Sequence, residues 1–199
     1  MLILLYGGAA SGKSEFAEDL VVRLGARRLY IATMRPAGPQ ALRRIARHRL
    51  MRAEKSFDTA EVYTHADMPK LEPNPGSSPG YDVALLECVT NLLANEMFAD
   101  MSGVIAPAAG RRGIADAPGH VLRTVERAAA LFENVVIVTG DVFTGADGYA
   151  YENPDNNSDN NSEVYEYMRY LGRVNAAIAK TAGAVIEIVC GLPVVHKSL

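Results

Sequence analysis

Eight residues near the N-terminus have the types and spacing to hold a triphosphate. Gly7-Gly8-Ala9-Ala10-Ser11-Gly12-Lys13-Ser14 fits G-x-x-x-x-G-K-[ST] at every fixed position. Glycines let the backbone wrap, so that successive N–H groups point at phosphate oxygens. A helix starting there adds the positive end of its dipole. Lys13 then reaches the β- and γ-phosphates, and the Ser14 hydroxyl can ligate Mg²⁺. A glycine turn can match such a pattern by chance, so context decides. An apolar run, Leu2 to Tyr6, precedes the motif, and Phe16, Leu20, Val21 and Leu24 follow at helical spacing.

Two further groups could join this chemistry. Glu87 closes the apolar run Val83-Ala84-Leu85-Leu86, and the C-terminal end of a parallel strand is where α/β sheets bind ligands. A carboxylate there can hold Mg²⁺ directly or through water. Asp82 opens the same run and should lie at the opposite end of the sheet. The stretch Arg43-Arg44-Ile45-Ala46-Arg47-His48-Arg49-Leu50-Met51-Arg52 packs five arginines and a histidine into ten residues. As a helix it puts Ile45, His48 and Arg52 on one face. By composition alone, such a helix reads as a solvated or RNA-facing surface.

These groups need a scaffold, and the remaining pattern supplies one. Strands are expected at 2–6, 29–33, 59–63, 83–87, 135–139, 184–190 and 194–196. Helices are expected after the glycine loop to Leu24, with Gly25 at its C-terminal stop, at about 40–52, through Leu92, Leu93 and Met97, and at about 120–133 and 163–180. Alternating strands and helices imply an α/β fold with a mainly parallel sheet flanked by helices. Residues 1–199 read as one domain. Segments 69–80 and 102–119 are rich in Pro, Gly or Ala and read as irregular. The polar Asn156–Ser162 stretch reads as part of a mobile loop near 151–162.

Composition sets outer bounds. The length suits one α/β domain with a buried core. A net charge of −3 argues against a general nucleic-acid binder. The N-terminal apolar run is too short for a signal peptide, and no apolar run is long enough to span a membrane. Cys88 and Cys190, each in an apolar run, read as two buried thiols of a reducing compartment, so a cytoplasmic location is expected.

In order along the chain stand Gly-Gly-Ala-x-Ser-Gly-Lys-Ser, Tyr30-Ile31-Ala32-Thr33, Arg44-Ile45-x-x-His48-Arg49-x-x-Arg52, Thr59-Ala60-Glu61, Leu85-Leu86-Glu87-Cys88 and Gly172-Arg173-Val174-Asn175. Together they resemble the bifunctional adenosylcobinamide kinase / adenosylcobinamide-phosphate guanylyltransferase family of cobalamin assembly. The glycine loop alone is unspecific. The histidine helix followed by T-x-E and L-L-E-C is much more specific. The chain departs from the family at Phe57, where Trp is usual, and at Gly140-Asp141, where Asn-Glu is frequent.

The resemblance implies a P-loop fold and two reactions. A nucleoside triphosphate, ATP or GTP, phosphorylates the corrinoid substrate adenosylcobinamide. GTP then reacts with a histidine, giving a phosphoramidate-linked GMP that passes to adenosylcobinamide phosphate. His48 matches that histidine. Thr33, Met34, Arg35, Arg49, Arg52 and Glu61 match the nucleotide-contacting stretches, with Glu61 facing either guanine or ribose. A homo-oligomer, a trimer by resemblance, is implied. His65, His120 and His196 match no motif and read as surface or capping residues. Two other readings stand beside this one. They are a P-loop kinase of another small alcohol with no guanylyl transfer, and a nucleotide-gated regulator, which the absence of an N-K-x-D motif disfavours.

Overall fold

The computed structural model describes residues 1–71, 80–98, 116–141 and 159–198. Among these residues seven strands form one sheet: β1 (Leu2–Tyr6), β2 (Arg28–Ala32), β3 (Phe57–Glu61), β4 (Val83–Glu87), β5 (Asn134–Val138), β6 (Ala184–Val189) and β7 (Leu192–Lys197). Their spatial order is β3-β2-β4-β5-β1-β6-β7. The first six run parallel, and β7 turns back antiparallel on β6. The helices are α1 (Lys13–Leu24), α2 (Gly38–Arg52), α3 (Val89–Phe98), α4 (Ala117–Leu131) and α5 (Asp159–Thr181), with a short 3₁₀ helix at His65–Leu71. This is the expected α/β architecture.

Side-chain alternation divides the core into two halves. Leu4, Leu29, Ile31, Ala84, Leu86, Val135 and Ile137 point to one face, under Leu92, Leu93, Val121, Val125, Leu171, Val174 and Ile178 of α3, α4 and α5. Ile3, Leu5, Tyr30, Val83, Leu85, Val136 and Val138 point to the other, where Ala17 and Val21 of α1 cover them. A strand buried on both faces needs apolar residues at nearly every position, which is why these runs show no polar alternation. The same parity governs the polar ends. Glu87 follows Val83 and Leu85 onto the α1 face. Tyr30 lies opposite Leu85 and Thr59, and Ala32 opposite Glu87 and Glu61, in register across β3, β2 and β4. Glu87, Tyr30, Thr59 and Glu61 therefore share one face and cluster toward one end of the sheet.

Several expectations are corrected. β3 starts at Phe57 and ends at Glu61, two residues earlier than expected. Gly25 does end α1, in an extended conformation with its N–H donating to Val21 O at 3.2 Å. Helix α5 begins at Asp159, so the last residues of the polar Asn156–Ser162 stretch belong to a helix. Cys88 is buried, but Cys190 is exposed. It occupies the β6–β7 turn at φ 51, where the two apolar runs that flank it in sequence fold back on each other. Of the segments expected to be irregular at 69–80 and 102–119, residues 69–71 close the 3₁₀ helix and 117–119 open α4, while 72–79 and 102–115, like 151–158 of the expected mobile loop, lie outside the described residues. No helix among the described residues is long and apolar enough to cross a membrane.

Leu86 is fully buried at the centre of the larger cluster. Leu86→Ala should cost about 2–5 kcal/mol of stability, the usual range for a Leu cavity in a core strand. The check is the shift in denaturant midpoint at unchanged slope.

Candidate active site

The glycine loop leaves β1 and enters α1 with its backbone tightly held. Gly7 sits at φ 156, and a Cβ there would stand 2.6 Å from the Ile188 carbonyl oxygen of β6. Gly12 caps α1 at φ 91, with Gly191 of the β6–β7 turn only 3.2 Å from where its Cβ would be. Gly191 N–H donates to Ser11 O at 2.8 Å. The hairpin that closes the chain thus braces the loop from outside. On the other side, Asp141 N–H donates to Gly7 O at 2.9 Å. The backbone beside Asp141 is pinned in turn, because Asn175 accepts a hydrogen bond from Thr139 Oγ1 at 2.7 Å and donates to Gly140 O at 3.4 Å. This gives Asn175 of the Gly172–Asn175 motif a positional role.

Lys13 Nζ donates to the Gly8 carbonyl oxygen at 2.6 Å. Burial lowers the Lys13 pKa, while Cys88 and Glu87 oppose that shift. Ser14 Oγ donates to Glu87 Oε1, and Tyr30 OH donates to Glu87 Oε2 at 3.1 Å. The first helical turn after the loop is therefore tied directly to the end of β4. Glu87 also pushes the Tyr30 phenol pKa upward, after burial itself. Asp82 lies at the far end of β4, as expected, accepting from the Ala26 and Arg27 backbone N–H groups at 3.0 Å each.

Beside this junction lies a pocket between α2 and the β2–β3 half of the sheet. Met34, His48, Arg49, Arg52, Glu61 and Glu87 all line it, together with Arg44 and Thr59. Ile45, His48 and Arg52 do share a face, and that face looks into the protein. Arg52 is buried, with its guanidinium 3.5 Å above the centre of the Tyr30 ring. Arg49 approaches Glu61 at 3.7 Å. Phe57, in the position usually held by Trp, packs edge-on to Tyr30 with ring centres 6.3 Å apart.

His48 is half-buried, and its pKa is held below the ordinary value. Burial is the largest cause, and Arg44, Arg52 and Arg47 act in the same direction, while Glu87 opposes them. That shift favours the neutral ring near pH 7, the form in which an imidazole nitrogen can attack phosphorus.

Two of the expected residues, Thr33 and Arg35, make contacts within the protein. Thr33 is fully buried. Its hydroxyl donates to Cys88 O at 2.9 Å and accepts from Cys88 N–H at 2.6 Å, clasping the cis Glu87–Cys88 peptide. Arg35 turns over the Tyr63 ring, 4.9 Å from its centre. Neither side chain lines the pocket. His65 and His120 bond to Thr124 and Glu96, and His196 to Glu187, all outside this pocket.

The structure adds residues that motif reading passed over. Asn95 donates to Thr33 O at 2.8 Å and Tyr63 O at 2.9 Å, fixing the chain as it leaves β2 and β3. Glu18 is fully buried on α1 and ion-paired to Lys55 at 3.0 Å and Arg52 at 3.8 Å. A signal for it existed, since Glu18 stands beside Ala17 and one turn before Val21, among the residues α1 turns inward.

Residues 3–196 match the family described as cobinamide kinase / cobinamide phosphate guanyltransferase. This chain belongs to that family. It is 32% identical to the bifunctional adenosylcobalamin biosynthesis protein CobU of Salmonella typhimurium, over 99% of this chain and 100% of that one. The protein of the same name from Escherichia coli is also 32% identical, over 99% and 100%. Among solved structures, the RadB recombinase aligns over 94% of this chain and 73% of that chain, at TM-score 0.43 and 14% identity.

The arginines around His48 generate a testable effect. In the free protein, the His48 ring should titrate below the ordinary value of about 6.5 when followed by its NMR resonances. Arg44→Ala, which removes an exposed positive neighbour, should move that titration upward, because protonating the ring then meets less repulsion.

Proposed function

We propose that this protein carries out both reactions in its family's name. It would phosphorylate cobinamide with a nucleoside triphosphate, then transfer GMP from GTP to cobinamide phosphate through His48. The observation that carries the reading is the placement of a neutral, half-buried histidine among arginines, beside a carboxylate bonded to Ser14 of the triphosphate loop.

Each residue has a role in that scheme. Loop amides and Lys13 bind the β- and γ-phosphates, and Lys13 would exchange its bond to Gly8 O for phosphate oxygen. Ser14 and Glu87 present a hydroxyl and a carboxylate side by side, a donor pair that fits Mg²⁺. When bound, that ion would neutralise charge on the transferring phosphates. His48 supplies the nucleophilic nitrogen, and Arg44, Arg49 and Arg52 balance negative charge on the α-phosphate. Glu61, close to Arg49 on the pocket wall, is placed to accept from guanine or from ribose. The corrinoid supplies an alcohol to the first reaction and a phosphate to the second. The exposed Leu192, Val194 and Val195 of edge strand β7 support the expectation of a homo-oligomer.

Two variants separate the steps. Lys13→Ala should lower phosphoryl transfer by at least about 10²-fold, in line with loss of a charge contact in the transition state. A variant within a few-fold of wild type would contradict the loop's role. His48→Asn should lose GMP transfer while keeping cobinamide phosphorylation, because the kinase step needs no protein nucleophile. With α-labelled GTP and Mg²⁺, wild type should take up acid-labile, alkali-stable label and His48→Asn none. A wild type that phosphorylates cobinamide but takes up no label would instead be a kinase alone.

A further inference from the structure

Three buried polar atoms with no hydrogen-bond partner among the described residues belong to facing residues at this site. They are Oε1 of Glu18, Nδ1 of His48 and one terminal nitrogen of Arg52. Glu18 lies on α1, one turn beyond Ser14. His48 and Arg52 lie one turn apart on the inward face of α2. One donor atom from each of Glu18, His48 and Glu87 falls within 4.8 Å of the other two. Either carboxylate could serve the ring by position alone, but Glu87 is already committed, with Ser14 on one oxygen and Tyr30 on the other. The outer oxygen of Glu18 is committed as well, accepting from Lys55 at 3.0 Å. Its Oε1 stands 3.8 Å from Arg52 in an ion pair too long for a hydrogen bond. Among these carboxylate oxygens, Glu18 Oε1 is the one left for the imidazole.

Buried polar atoms are rarely left unpaired, and this gap spans two separate helices. A small approach of α2 to α1, of the kind that closes an active site on its substrate, would join them. We propose that Glu18 is the positioning carboxylate of His48, accepting Nδ1–H so that the Nε2 lone pair faces the α-phosphate. The proposal rests on the guanylylation reading above. In the reaction, Nε2 forms a bond to the α-phosphorus. The bond from that phosphorus to the bridging oxygen breaks, and its electron pair leaves with pyrophosphate. The Nδ1 proton stays in place throughout. The linked imidazole is therefore cationic, and Glu18 balances that charge. When the phosphate of the acceptor attacks, the N–P bond breaks and its electron pair returns to Nε2. A cationic imidazole leaves more readily than a neutral one, so Glu18 serves both halves of the transfer.

The test compares wild type with Glu18→Gln, which keeps shape and loses charge. Time courses with α-labelled GTP and Mg²⁺ should show the maximal labelling rate falling at least about tenfold, with the GTP KM changed less than about threefold. Discharge of the label by pyrophosphate should slow in proportion, since both directions share one transition state. Nitrogen-15 NMR of the neutral His48 ring, recorded with a non-reactive GTP analogue bound, should show Nδ1 protonated in wild type and a mixture of tautomers in Glu18→Gln. A purely structural role for Glu18 would not move that signature. An unchanged maximal rate, a loss confined to KM, or a wild-type ring protonated at Nε2 would each overturn the proposal. Wild type that takes up no label would overturn the guanylylation reading itself.

Discussion

A buried carboxylate at the end of β4 sets the terms for everything around it. Glu87 is nearly inaccessible, and a charge in that position is tolerated only when it is hydrogen-bonded or paired. Ser14 and Tyr30 bond to it, and Lys13, His48 and Arg52 gather near it. Because Ser14 opens α1, the bond also fixes the helix start, and with it the direction of the loop amides. The strand, the loop and the α2 pocket are thereby held in one frame.

The frame is asymmetric in charge. Beyond its two buried acids, the pocket side offers arginines on α2 and a lysine in the loop, so an incoming polyphosphate meets positive groups along its length. The loop suits the β- and γ-phosphates, and the histidine lies beside it. In the proposed scheme, an alcohol attacks at the γ-phosphorus and the imidazole at the α-phosphorus. Which reaction proceeds then depends on which nucleophile is presented in line.

Much of this was legible in the residues. The glycine loop was visible because its constraint is local: a tight wrap needs glycine, and a phosphate needs lysine. Glu87 was visible because parallel strands end at the ligand side of the sheet. His48 stood out only within its arginine helix and the motifs that follow. Other features depend on the fold bringing distant segments together. Glu18 looks like one more acid on an amphipathic helix until Lys55 and Arg52 are seen to cover it. Thr33 stands out in sequence only by resemblance, and its bonds to the Glu87–Cys88 peptide appear only once β2 and β4 are side by side. Cys190 sits in an apolar run, but the hairpin turn lifts it into solvent. Gly191 gains its importance only because that turn comes to rest against Gly12.

Everything in the proposed transfer turns on one protein histidine, His48, carrying GMP between substrates. Wild-type protein incubated with GTP and Mg²⁺, quenched in alkali and digested, can be mapped by mass spectrometry for a peptide that gains GMP. The added mass should fall on the peptide containing His48, attached to the imidazole. GMP on a peptide holding His65, His120 or His196 instead, or on a lysine, would contradict it.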